Sequence, residues 1–183
     1  MSFKKTYLKF ILFGGVLLIV LTFPIWGLLL GDGFANNLEI PKGVDFRKPL
    51  YLEDSKDMNK IDWSSLIEVP PKEIKFDLVD VPGNGGIYEY GVWYQAQEEG
   101  YLYIRVYEYT KNQELSRERL RKKSRTYVSP SNLHNFYRGR FTVYEGDWGD
   151  YYAARVELWF DPASEKQGFE ILEHNYIIQG WMR

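Results

Sequence analysis

The apolar positions divide the chain into three stretches of different texture. From Phe10 to Leu30 they run unbroken: twenty-one residues carry no charge, and as a helix at about 1.5 Å per residue they reach roughly 31 Å, the thickness of a bilayer's hydrocarbon core. A lone segment in lipid must satisfy its own backbone, so the pattern predicts a transmembrane helix over 10–30. Pro24 can kink it, Gly14 and Gly15 are tolerated inside a bilayer, and Trp26 falls where interfacial aromatics concentrate. The polar face that a soluble helix needs is missing.

Residues 31–70 show neither a period of 2 nor one of 3.6. Pro41, Pro49 and Pro70 stand among mixed charges, the texture of an extracytoplasmic linker or arm. A helical turn between Lys56 and Leu66 would let Ile61, Trp63 and Leu66 dock on the C-terminal domain. A structureless stretch of this length is uncommon beside a compact domain, so part of it is expected to pack against the sheet.

From residue 71 to 183 the pattern changes to alternation, the mark of half-buried strands. It predicts strands near Ile74–Val81, Ile87–Gln97, Tyr101–Tyr109, Phe141–Glu145, Ala154–Phe160 and Glu173–Gly180. Turn residues separate them at Pro82–Gly86, Glu98–Gly100, Gly146–Asp150 and Pro162–Gly168, and spacers this short favour antiparallel neighbours. One helix is predicted at Asn112–Ser124, with Asn112 as its cap, Glu114 early and Arg121, Lys122, Lys123 and Arg125 late, in accord with the helix dipole. Glu118 and Lys122 are spaced to pair at i,i+4. The expected fold is mainly β: an N-terminal transmembrane helix, then an antiparallel β-sandwich-like domain with one helix inserted between strands.

Flanking charge orients the membrane segment. Lys4, Lys5 and Lys9 precede it and Asp32 and Glu39 follow it, so residues 1–9 are expected in the cytoplasm and the domain outside, periplasmic or extracellular. Gly33-Phe34-Ala35 offers the small residues of a signal-peptidase site, which makes cleavage after Ala35 the competing expectation. The apolar run is longer than the roughly 7–15 residues of a signal peptide, favouring an uncleaved anchor.

Composition narrows the chemistry. A net charge of −2 lacks the cationic excess that phosphate-backbone binding requires, so nucleic acid is not an expected partner. Cysteine is absent, which excludes disulfides, thiolate nucleophiles and Cys-ligated metals. The two histidines, His134 and His174, give imidazole chemistry little to work with. No serine stands in a G-x-S-x-G elbow, and Gly83–Gly86 lacks the lysine of a phosphate loop. No cofactor and no enzyme activity are expected.

Two surfaces and one loop remain as candidates. In Tyr101–Tyr109 the side chains Leu102, Ile104 and Val106 form one face and Tyr101, Tyr103, Arg105, Tyr107 and Tyr109 the other. The second is either a recognition surface, since Tyr gives large rigid contact area and Arg stacks on rings, or sheet covered by the arm or helix. Arg121, Lys122 and Lys123 form either a solvated helix end or a patch facing an anion. The loop Glu145-Gly146-Asp147-Trp148-Gly149-Asp150 brings together Glu145, Asp147 and Asp150, which could hold a cation or serve as paired acids on a glycan, although Asp and Gly are also ordinary turn residues. The leading expectation is a membrane-anchored extracytoplasmic binding or scaffold module of the cell envelope with a protein partner. The alternatives are a carbohydrate-binding or carbohydrate-cleaving exported domain, and an immunity protein against an envelope-acting toxin.

Overall fold

A computed structural model describes residues 40–51, 63, 70–83, 85–146, 149–164 and 166–181. The 1–9 and 10–30 segments and the Ala35 site lie outside the described residues, as does the Lys56–Leu66 turn apart from Trp63. Among the described residues no helix is long and apolar enough to cross a membrane. All of them belong to one compact unit, Asn37–Arg183.

The unit is mainly β, with two sheets and one short helix. In chain order the elements are β1 (Leu50–Tyr51), β2 (Lys75–Asp80), β3 (Ile87–Tyr94), β4 (Gly100–Glu108), β5 (Gln113–Leu115), α1 (Arg117–Ser124), β6 (Thr126–Val128), β7 (Asn135–Thr142), β8 (Tyr151–Pro162) and β9 (Phe169–Gln179). One sheet has the order β1-β2-β3-β7; the other runs β5-β4-β8-β9, with β6 also beside β4. Pairing is antiparallel throughout except for β1 on β2, which is parallel.

The inner faces are those the alternation marks. Leu102, Ile104 and Val106 of β4 and Val156, Leu158 and Phe160 of β8 are buried, opposite Phe76, Leu78, Tyr88 and Tyr90 of the other sheet. Tyr94 meets Phe160 across the interior with ring centroids 5.9 Å apart. Buried tyrosines reach polar partners at the margins of the core. Tyr88 Oη donates to the Gln179 carbonyl at 3.0 Å and accepts from its N–H at 2.9 Å, and Tyr90 Oη lies 2.8 Å from the Ser124 carbonyl.

The helix differs from its predicted extent. It begins at Arg117, and Gln113–Leu115 is instead a strand pairing with Val106–Glu108. Leu115 is buried while Glu114 turns outward, so these residues follow the sheet's alternation. Asn112 stands at φ 50° in the turn after β4, a left-handed position that Asn tolerates, and therefore does not cap the helix. The buried Glu108 carboxylate stabilises that turn by accepting from Thr110 N–H, Thr110 Oγ1 and Lys111 N–H.

The helix interrupts an edge strand. β5 and β6 lie along the same edge of β4, and between them the Ile104 N–H donates to Ser124 Oγ at 2.9 Å. Leu120 and Ser124 are buried, and the exposed side carries the charge.

The strand expected at Phe141–Glu145 lies earlier, at Asn135–Thr142. Its inner face includes Gly139, where a Cβ would come within 2.5 Å of the Tyr90 ring. The volume is supplied by Tyr90 from the neighbouring strand, so Gly139 leaves no hydrophobic mark in the sequence.

The arm joins both sheets. Arg47 exchanges backbone hydrogen bonds with Asn175 and Ile177 of β9, and three residues later Leu50–Tyr51 pairs with β2. Trp63 packs on the outer face of the four-stranded sheet with Val79, Val81, Ile87 and Phe136. It fills the space over Gly91, where a Cβ would meet it at 2.5 Å, and its Nε1 donates to Glu89.

Candidate binding face

The outer face of the five-stranded sheet is built from odd-numbered residues of β4 and β8. The register sets Tyr101 opposite Asp161, Tyr103 opposite Trp159, Arg105 opposite Glu157 and Tyr107 opposite Arg155. Alternation in β8 explains the second set: Arg155, Glu157 and Trp159 point outward because Val156, Leu158 and Phe160 point inward.

Cations and rings interleave on this face. The Arg105 guanidinium lies 4.7 Å from the Trp159 ring centroid and 5.2 Å from that of Tyr107, while Arg155 approaches Tyr107 at 4.7 Å. Arg125 lies 4.1 Å from the Tyr101 centroid, and Tyr101 meets Tyr127 edge-on. Each such contact contributes about 0.5–1 kcal/mol where exposed and more where water is excluded. Carboxylates hold the guanidinium groups in place. Glu114 accepts from Arg105 Nε at 3.2 Å and from Arg121 Nε at 2.8 Å. Burial alone would raise the Glu114 pKa, but the bonds from Arg121 and Arg105 outweigh it and hold the carboxyl below its ordinary range.

Glu157 is only 4% exposed although it sits on the outer face. It accepts from Arg155 Nε at 2.9 Å and Trp159 Nε1 at 2.8 Å. Its oxygens lie with those of Glu170 and Glu173 within 4.8 Å of one another. Arg155 stands between Glu157 and Glu173, 3.6 Å from the latter, so a guanidinium supplies positive charge to this acidic group. Burial and the two neighbouring carboxylates raise the pKa of Glu170.

Toward the helix the face opens into a cleft of about 380 Å³ lined by Tyr103, Trp159, Arg121, Lys122, Arg125, Glu118, Asp161, Gln167 and Gly168. Tyr103 and Trp159 stack at 6.3 Å between centroids and 29° between planes. α1 supplies one wall and the β8–β9 connection another.

The structure sorts the sequence candidates. Tyr103, Arg121 and Lys122 line the cleft together. Arg105 and Tyr107 belong to the adjoining charged and aromatic layer. Tyr101 stands beside it under Arg125, and Tyr109 packs edge-on against Phe46 of the arm, centroids 5.2 Å apart. Lys123 is exposed and is not among the cleft-lining residues. In the acidic loop, Glu145 accepts from Ser116 N–H and Ser116 Oγ, both at 2.7 Å, Asp150 is exposed, and Asp147 lies outside the described residues. Glu145 therefore ties the β7–β8 connection to the start of α1.

Sequence reasoning missed Trp159, Asp161 and Gln167 as cleft residues. The same two-faced alternation that singles out β4 was present in Arg155–Phe160 and would have placed Trp159 outward.

Comparison with known proteins finds no matching family model, no matching curated protein and no matching solved structure.

Proposed function

We propose that this chain is a single-pass membrane-anchored, extracytoplasmic binding module of the cell envelope, a β-sandwich-like domain that recognises its partner through the outer face of its five-stranded sheet. The anchor and orientation rest on the apolar run Phe10–Leu30 and its lysine flank. The recognition face rests on one observation: the arm's Trp63 covers part of the outer four-stranded sheet, while the opposite face carries a half-exposed layer of Tyr, Trp and Arg ending in a cleft. Tyr, Trp and Arg are the side chains in which interface energy concentrates.

Binding is favoured over catalysis by the state of the cleft's carboxylates. Glu118 is 82% exposed and pairs with Lys122, and Asp161 pairs with Arg125. Neither has the desolvated setting that prepares a carboxyl group as a general acid.

The test combines topology with capture. A reporter active only outside the cytoplasm, fused after Arg183, is expected to be active; an inactive fusion at normal expression overturns the orientation. Crosslinking in membranes, gentle solubilisation and purification of the full-length chain is expected to recover a protein or glycan partner, and recovery of the chain with neither counts against the binding reading.

A further inference from the structure

We infer that the cleft between α1 and the β8–β9 connection binds an acidic saccharide unit, a sugar ring bearing a carboxylate or phosphate. The inference rests on the binding-module reading and specifies its ligand. Three properties of the cleft meet in that ligand.

First, its volume, about 380 Å³, lies within the roughly 300–1,000 Å³ of small-molecule sites. It is walled on two sides and so suits a compact ring better than an extended peptide, whose recognition uses a sheet edge or a long groove. Second, its wall holds the stacked Tyr103–Trp159 pair, an apolar surface for the C–H groups of a sugar. Trp159 is held by Arg105 against its ring and by its Nε1 bond to Glu157, so little side-chain entropy remains to be lost on binding.

Third, it brings three cations together: Arg121, Lys122 and Arg125 stand beside the carboxylates of Glu118 and Asp161. The cations differ in availability. Arg121 is committed to Glu114 by bonds from Nε and Nη2. Lys122 faces Glu118 at 3.7 Å with both side chains more than three-quarters exposed, and such a surface pair contributes almost nothing that an incoming anion must overcome. Arg125 is bonded to Asp161 at 2.8 Å, both about 40% exposed, so an incoming anion shares Arg125 with that carboxylate. Lys122 and Arg125 would take the anionic group, and Gln167 and Tyr103, which line the same cleft, carry groups that can bond sugar hydroxyls.

The experiment is titration calorimetry on the purified full-length chain in detergent. The probes are trigalacturonate, glucose 1-phosphate, the methyl ester of trigalacturonate, and a glutamate hexapeptide. Binding of either acidic sugar, at least tenfold tighter than the neutral ester and weakened by salt, is the expected result. Lys122→Glu and Arg125→Glu should each weaken it at least tenfold, and Tyr103→Ala should do so at low and high salt alike. Should Tyr103→Ala lower the melting temperature, the exposed Lys122→Glu still decides. No acidic sugar preferred over the ester overturns the inference. Equal binding of the glutamate peptide, sensitive to the same variants, also overturns it but leaves recognition by this face standing. If no probe binds and the cleft variants still capture the membrane partner at wild-type levels, both readings fall.

Discussion

Asp80, on β2 beside the arm, contributes a pH dependence of definite sign. Its carboxyl is bonded by the Gln179 side chain and the Val81 backbone, yet burial dominates and raises its pKa to about 6 from 3.8; its Oδ1 has no hydrogen-bond partner among the described residues. Between these values the unfolded chain has released the proton and the folded chain still holds it. Stability from this group therefore falls as pH rises from about 4 through 6 and stays lower above. Allowing for solvent screening, the ionised form costs about 1–2 kcal/mol. Asp80→Asn should raise the melting temperature at pH 7.5 and flatten its fall between pH 4.5 and 7. An unchanged slope in denaturation at several pH values would show that Asp80 does not carry it.

Among the elements, the interrupted edge beside β4 makes the sharpest claim. Ser124 Oγ accepts the Ile104 N–H in the gap between β5 and β6, so Ser124→Ala leaves a buried donor unsatisfied at a cost of about 1–3 kcal/mol. Hydrogen exchange should show lost protection centred on Ile104, and protection equal to wild type would contradict the role. Ile104→Asp should unfold the domain altogether, because it buries an unpaired charge. This part of the fold was only half legible in the sequence. The faces of β4 were plain, because Leu102, Ile104 and Val106 alternate with tyrosines and an arginine. Three-residue strands such as β5 and β6 are too short to show a period, and Glu114, read as a first-turn helix acid, is also a good outer-face strand residue. β7 was displaced because Gly139 stands where an apolar residue would have marked the inner face. A third of the cleft was visible as Tyr103, Arg121 and Lys122; their meeting with Trp159 and Asp161 depends on pairing between β4 and β8, which no local pattern encodes.

At the scale of the molecule, the arm distinguishes the two outer faces. Trp63, 3% exposed, holds one, and Trp63→Ala should cost about 3–5 kcal/mol without changing binding by folded protein; a melting temperature equal to wild type would mean that the arm is not part of the folded unit. The other face is the one proposed for recognition. The most direct measurement is photocrosslinking in intact membranes with a photoreactive residue placed at Glu118, which lines the cleft and has no part in holding the proposed ligand, or at Arg138, on the outer side of the four-stranded sheet. Partner adducts are expected from position 118 and not from 138, with both proteins folded and membrane-bound. Adducts from 138 alone would contradict recognition through the cleft face and move it to the face that Trp63 shares.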